Sequence, residues 1–176
     1  MPEVHALPSP LQTVHIMGIG GTAMAALAGM LADAGITVTG SDANRVYPPM
    51  SDYLDRLGIR VMEGYRAENL AHRPDLVVVG NAIRAEYPEA QALLDGDLPY
   101  MSFPALLRAR FLEGGRSLVV AGTHGKTTTT ALLAALLKGA GRDPGYLIGG
   151  VALDFERTAA AGGGAHFVIE GDEYDA

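Results

Sequence analysis

The sequence predicts an α/β protein built from parallel sheets, and three observations carry that expectation. Short apolar runs alternate with helical patterns along the whole chain. Two of those runs break into glycine-containing loops that lead straight into a helix, at residues 18–22 and 122–128. Between them Gly114 and Gly115, flanked by charges, interrupt the alternation and mark a boundary. Alternation of this kind gives doubly wound sheets with right-handed crossovers, and ligands gather at the carboxyl ends of the strands. We expect a complete Rossmann-like unit over residues 1–114, and over 115–176 the start of a second parallel-sheet unit.

Residues 13–17 form the first strand, and small and apolar residues then follow a helical pattern over 22–34 until Gly35 stops it. Further strands are expected at 36–39, 59–62, 75–79 and 98–101. Helices are expected after Pro48 and Pro49, after Pro88, and over 104–112. Beyond the boundary the pattern gives a strand at 117–121, a helix at 126–139, and strands at 145–151 and 165–170, the last two separated by a flexible stretch at 159–164. The sequence stops at Asp175 and Ala176, immediately after that strand and a cluster of carboxylates, where domains rarely end, so a domain cut short is expected.

Composition narrows the function classes. Among 176 residues, 13 are Lys or Arg and 20 are Asp or Glu, for a net charge of -7, and no basic stripe is present that could neutralise a phosphodiester backbone. Nucleic acid is therefore not an expected partner. The absence of cysteine removes thiolate ligands, thiol nucleophiles and disulfides. No segment approaches the roughly twenty apolar residues of a membrane span, and the N-terminus lacks a signal-peptide pattern, so a cytoplasmic protein is expected.

The strongest chemistry sits in Gly122, Thr123, His124, Gly125, Lys126, Thr127 and Thr128. A polyphosphate needs a concave set of backbone N–H groups, a helix N-terminus aimed at it, and a cation that reaches the outer phosphates. Gly122 and Gly125 let the backbone approach, Lys126 supplies the charge, and the Thr127 hydroxyl can reach a phosphate-bound Mg²⁺. The full phosphate-loop pattern asks for Gly at position 120, where this chain has Val, so the match is to a shortened form, and the alternative is a glycine turn capping a helix. Lys126 and Lys138 are the only lysines, which makes one at this spacing informative.

Gly18, Ile19, Gly20, Gly21, Thr22 and Ala23 fit a dinucleotide fingerprint after a strand, with Asp42 at the end of the next one. Any diphosphate is served by the same amides and helix end, and the loop could also serve helix packing alone. Glu170, Asp172, Glu173 and Asp175 follow an apolar strand. They are either a solvated acidic turn or, beside the second loop, a source of the oxygen ligands that Mg²⁺ prefers, with Glu170 foremost. Spacing does not choose among the four. His15, His72 and His166 read as structural or exposed, and His5 lies in the N-terminal lead. His124 stands inside the phosphate loop, where contact with nucleotide and a backbone-only role are equally open.

Taken together, residues 15–22, 40–42, 122–128 and 170–175 resemble the Mur ligases of bacterial peptidoglycan synthesis. Residues 46–51, 80–83 and 99–102 resemble the branch of that family that attaches a peptide, where the branch attaching L-alanine usually carries a serine pair in place of Gly80 and Asn81. Gly171 departs from the family, which often has Ala there; the acidic positions are untouched.

The resemblance implies a UDP-sugar diphosphate, with no nicotinamide, at Gly18, Ile19, Gly20, Gly21 and Thr22, with Ser41, Asp42 and Asn81 near the nucleotide or sugar. It implies a truncated P-loop ATPase unit over 115–176 that takes ATP and Mg²⁺, with Lys126 and Glu170 as catalytic residues and Thr127 and Glu170 as metal ligands. The implied reaction joins L-Ala-γ-D-Glu-meso-diaminopimelate to UDP-N-acetylmuramate through an acyl phosphate, in peptidoglycan recycling. A chain so cut is expected to be inactive alone and prone to dimerise. Three readings compete with this one: L-alanine as the amine, a non-catalytic nucleotide-binding module, and an NAD-dependent dehydrogenase that leaves Lys126 unexplained.

Overall fold

The computed structural model describes Val4, residues 6–149 and residues 157–171. The chain divides into two units, Met1–Arg110 and Phe111–Ala176. The division falls within a π-helical turn, Arg108–Leu112, just before the Gly114 and Gly115 pair.

The first unit holds five parallel strands: β1 (Thr13–Met17), β2 (Thr37–Asp42), β3 (Arg60–Glu63), β4 (Leu76–Val79) and β5 (Tyr100–Ser102), in the spatial order β3-β2-β1-β4-β5. β1 and β4 read as nearly continuous apolar runs because both sheet faces are covered. On one side lie α1 (Thr22–Asp33) and α2 (Met50–Arg56), which pack on each other. On the other lie α3 (Pro88–Asp95) and a 3-10 turn at Ala67–Leu70. From Met24 to Leu31 every residue of α1 is buried, which explains its run of small and apolar side chains with no polar stripe. The helix stops at Gly35, whose φ of +80° lets Gly35 N–H reach the Ala32 carbonyl and Ile36 N–H the Leu31 carbonyl.

Strand order reverses between β1 and β4, so the crevice of this sheet opens at their carboxyl ends. The starts of the same two strands are tied by Asp75, whose Oδ2 accepts the N–H groups of Gln12 and Thr13 at 2.9 and 2.8 Å and the Thr13 hydroxyl at 2.9 Å. Those donors hold the Asp75 carboxyl below its usual range.

The second unit holds β6 (Arg116–Ala121), α5 (Lys126–Gly139), β7 (Gly145–Leu147), β8 (Ala159–Ala160) and β9 (His166–Gly171). Its sheet order is β6-β9-β7-β8, with β9 parallel to both neighbours and β8 antiparallel on β7. α5 packs Ala134 against Ile148 and Val168, with Leu118 and Val120 of β6 joining that cluster.

Several elements differ from expectation. The helix expected over 104–112 is a short α4 (Phe103–Leu107) that passes into the π-helical turn. Within the stretch read as flexible, Ala159 and Ala160 pair with β7. Part of the strand expected at 145–151 lies beyond the described residues.

Candidate functional sites

In the first unit the loop after β1 is a tight turn held from two sides. The Ser41 carbonyl accepts Gly18 N–H at 2.8 Å and Ile19 N–H at 3.1 Å, and Gly21 N–H closes back on the Gly18 carbonyl at 3.2 Å. Asp42 Oδ2 accepts Gly20 N–H at 2.9 Å. Gly18 has a φ of +83°, and a Cβ on Gly20 would stand 2.9 Å from both Asp42 Oδ2 and Val46 Cγ2, so glycine is required at each position for a different reason. Ile19 is wholly buried and plugs the space over Gly40.

The glycine amides thus shape the turn, while the amides that open α1, which have no partner within the helix, are the donors left at the carboxyl edge. Thr22 is exposed at that helix start, and Asn81 is exposed in the turn after β4, across the crevice. Beside the loop is a cleft of about 350 Å³ lined by Gly20, Gly21, Asp42, Asn44, Arg45, Val46 and Tyr47. Ser41 differs from the sequence expectation in its surroundings: its side chain is wholly buried and its hydroxyl donates to Glu89 at 3.0 Å, so it holds the loop from beneath.

Tyr65 borders the same turn, with its hydroxyl 3.8 Å from where a Gly18 Cβ would lie. Burial first, and the Asp42 carboxylate second, push its phenol up to about 12.

In the second unit β6 and β9 are in register, with Val120 opposite Glu170 and Ala121 opposite Gly171. The loop that leaves β6 and the carboxylate that ends β9 therefore emerge side by side. Gly122 and Gly125 have φ of +147° and +78°, and Gly125 is the residue immediately before α5. Lys126 Nζ donates to the Gly122 carbonyl at 2.9 Å, which folds the ammonium back over the loop. Thr127 Oγ1 donates to Glu170 Oε2 at 3.2 Å, and Gly149 N–H donates to Glu170 Oε1 at 2.7 Å. Thr123, His124 and Thr128 are exposed.

A hydroxyl and a carboxylate that already converge supply hard oxygen donors of the kind Mg²⁺ takes from protein, so the residues present fit that ion. Among the described residues no three His, Asp or Glu side chains form a metal cluster. Asp172, Glu173 and Asp175, the other carboxylates singled out from sequence, lie outside the described residues.

Sequence reasoning missed Glu89, which is wholly buried at the start of α3 and meets His15, Ser41 and Asn69. The available signal was a histidine in the middle of an apolar strand, which needs an interior partner. Among the described residues no helix is long and apolar enough to cross a membrane.

Comparison with known proteins bears on both sites. The model of the Mur ligase family, catalytic domain, matches residues 13–111. UDP-N-acetylmuramate–L-alanyl-γ-D-glutamyl-meso-2,6-diaminoheptandioate ligase of Escherichia coli K12 is 48% identical over 92% of this chain and 35% of its own length. UDP-N-acetylmuramate–L-alanine ligase of Arthrobacter sp. FB24 is 44% identical over 94% of the chain and 34% of its own. A crystal structure of UDP-N-acetylmuramate:L-alanyl-γ-D-glutamyl-meso-diaminopimelate ligase from Neisseria meningitides superposes with a TM-score of 0.88 at 43% identity, over 94% of this chain and 54% of that one. The chain thus spans about a third of the length of the curated relatives it matches. The family match takes in every strand of the first sheet, and the identity to these relatives extends through the second loop; this chain belongs to the Mur ligase family.

Proposed function

We propose that this chain is the nucleotide-binding part of an ATP-dependent ligase that joins L-Ala-γ-D-Glu-meso-diaminopimelate to UDP-N-acetylmuramate. The observation that carries the ATP half is the convergence of Lys126, Thr127 and Glu170 at the carboxyl ends of two adjacent parallel strands. On this reading the second unit is the start of a P-loop ATPase domain, and the first takes the UDP-sugar at the loop after β1. The higher identity to the peptide ligase of Escherichia coli than to the L-alanine ligase supports the tripeptide as amine. Both substrates are small molecules, and a cytoplasmic location suits them.

The chemistry follows from need. A carboxylate and an ammonium do not condense in water, so a lactyl carboxylate oxygen first bonds to the γ-phosphorus of ATP and ADP leaves. The deprotonated peptide amine then bonds to the acyl carbon, and phosphate leaves. Lys126 exchanges its bond to the Gly122 carbonyl for the outer phosphate oxygens, where negative charge spreads during transfer. Thr127 and Glu170 would hold Mg²⁺, which when bound neutralises phosphate charge. The α5 N-terminus adds a fixed positive potential on the same side.

The test is calorimetry on the 176-residue chain. We expect separate binding of UDP-N-acetylmuramate and of Mg-ATP without turnover. Gly20→Trp should abolish the first only, since even a Cβ there must displace Asp42 and Val46. Lys126→Ala should weaken the second by about tenfold or more. Tight NAD binding, or ATP binding indifferent to Lys126, refutes the assignment.

A further inference from the structure

Beneath the loop after β1 lies a set of buried polar side chains that the proposed chemistry does not use. His15, Ser41 and Glu89 are wholly buried and Asn69 is 8% exposed. The register pairs His15 with Thr39 and Met17 with Ser41, so His15 and Ser41 lie on the sheet face covered by α3 and the 3-10 turn. There Glu89 Oε1 meets His15 Nε2 at 2.7 Å and accepts the Ser41 hydroxyl at 3.0 Å. Glu89 Oε2 accepts Asn69 Nδ2 at 2.7 Å, and the same Asn69 nitrogen donates to the Gly64 carbonyl at 2.8 Å. One carboxylate therefore links β1, β2 and the turn after β3.

Burying a carboxylate is costly, and apolar residues of similar volume commonly stabilise a core as well or better. A fully satisfied polar network does what an apolar core does poorly, in that it fixes each member in one orientation. The member fixed here is Ser41, whose carbonyl carries the Gly18 and Ile19 amides and so sets the turn that presents the start of α1.

We propose that Glu89 is a positioning residue of this loop: acting through Ser41, it sets the affinity for the UDP-sugar diphosphate without touching the ligand. The inference rests on the reading of this loop as the UDP-N-acetylmuramate site.

Two variants of the 176-residue chain test it. Ser41→Ala removes the hydrogen bond from Ser41 to Glu89 while leaving the Ser41 carbonyl in place. Glu89→Gln sets an amide N–H against Asn69 or, if it turns over, reverses the bonds at Ser41 and His15. Calorimetry with UDP-N-acetylmuramate, run well below each variant's Tm, should show affinity reduced by about tenfold, the scale of a hydrogen bond to a charged acceptor. Amide hydrogen exchange should be faster at Gly18 and Ile19 but unchanged in β5. A role confined to general stability would lower Tm and leave affinity and these two amides alone, and that outcome overturns the proposal. Should Glu89→Gln fail to fold, Ser41→Ala decides. If the unaltered chain does not bind UDP-N-acetylmuramate, the site assignment falls; exchange at Gly18 and Ile19 in Ser41→Ala then decides the positioning role.

Discussion

At the scale of single residues, Asp42 has two measurable neighbours. It holds the Gly20 amide and also raises the phenol of Tyr65, second only to burial. Asp42→Asn should therefore lower the Tyr65 pKa from about 12 toward, but not down to, the ordinary value of 10.0, because burial remains. Spectrophotometric titration of the tyrosinates reads this directly, and an unmoved Tyr65 would show that Asp42 points elsewhere in solution. The sign for stability follows: below pH ~10 tyrosine is neutral in both states, and above it the unfolded chain ionises first, so this group costs stability only in alkali.

The same scale shows what a sequence can reveal. Lys126, Thr127 and the glycines around them were legible because one short segment holds them all, at a spacing the chemistry demands. Glu170 was legible as a strand-end carboxylate, and the register of β9 on β6 is what brings it to Thr127. The Glu89 network escaped because residues 15, 41, 69 and 89 come from four segments, and only folding puts them together.

At the scale of elements, the strands and their helices were readable wherever apolar runs ended in glycine or proline. The 3-10 turn at Ala67–Leu70 was not, since its four residues carry no periodicity, yet it supplies Asn69 and leads to His72. That turn gives the first unit an acid-sensitive edge. His72 Nε2 meets Thr39 Oγ1 at 3.0 Å, and His72 is held below the usual histidine range, by desolvation first and then by His15, whose ring lies 5.5 Å away. Arg60 lowers it further, while the Asn69 backbone and Glu89 oppose the shift. A lowered folded-state value means that the neutral ring is favoured in the native state. Its contribution is complete above pH ~6.5 and is lost as pH falls through the folded-state value. Thermal unfolding of the first unit between pH 7.5 and 5 should show a Tm that falls with acid, and His72→Gln should flatten that dependence. A variant as acid-sensitive as the parent would count against the assignment.

At the scale of the whole molecule, the two units differ in how completely they cover themselves. The first sheet has helices on both faces. In the second, Val119 on the edge strand β6 is 60% exposed, and Leu132 and Leu136 of α5 are 59% and 62% exposed. Apolar side chains on an open edge and helix are a surface for self-association. We expect light scattering of the 176-residue chain to show dimers or larger species that dissociate when Leu132 and Leu136 are both changed to Glu; a strictly monomeric parent refutes this.

The sheet order of the second unit also bears on biosynthesis. Strand β9, which lies between β6 and β7, is synthesised after both, and they cannot be bridged until it arrives. The nascent chain must carry the Lys126 loop unsupported through that interval, while the five strands ahead of it are already complete and free to fold.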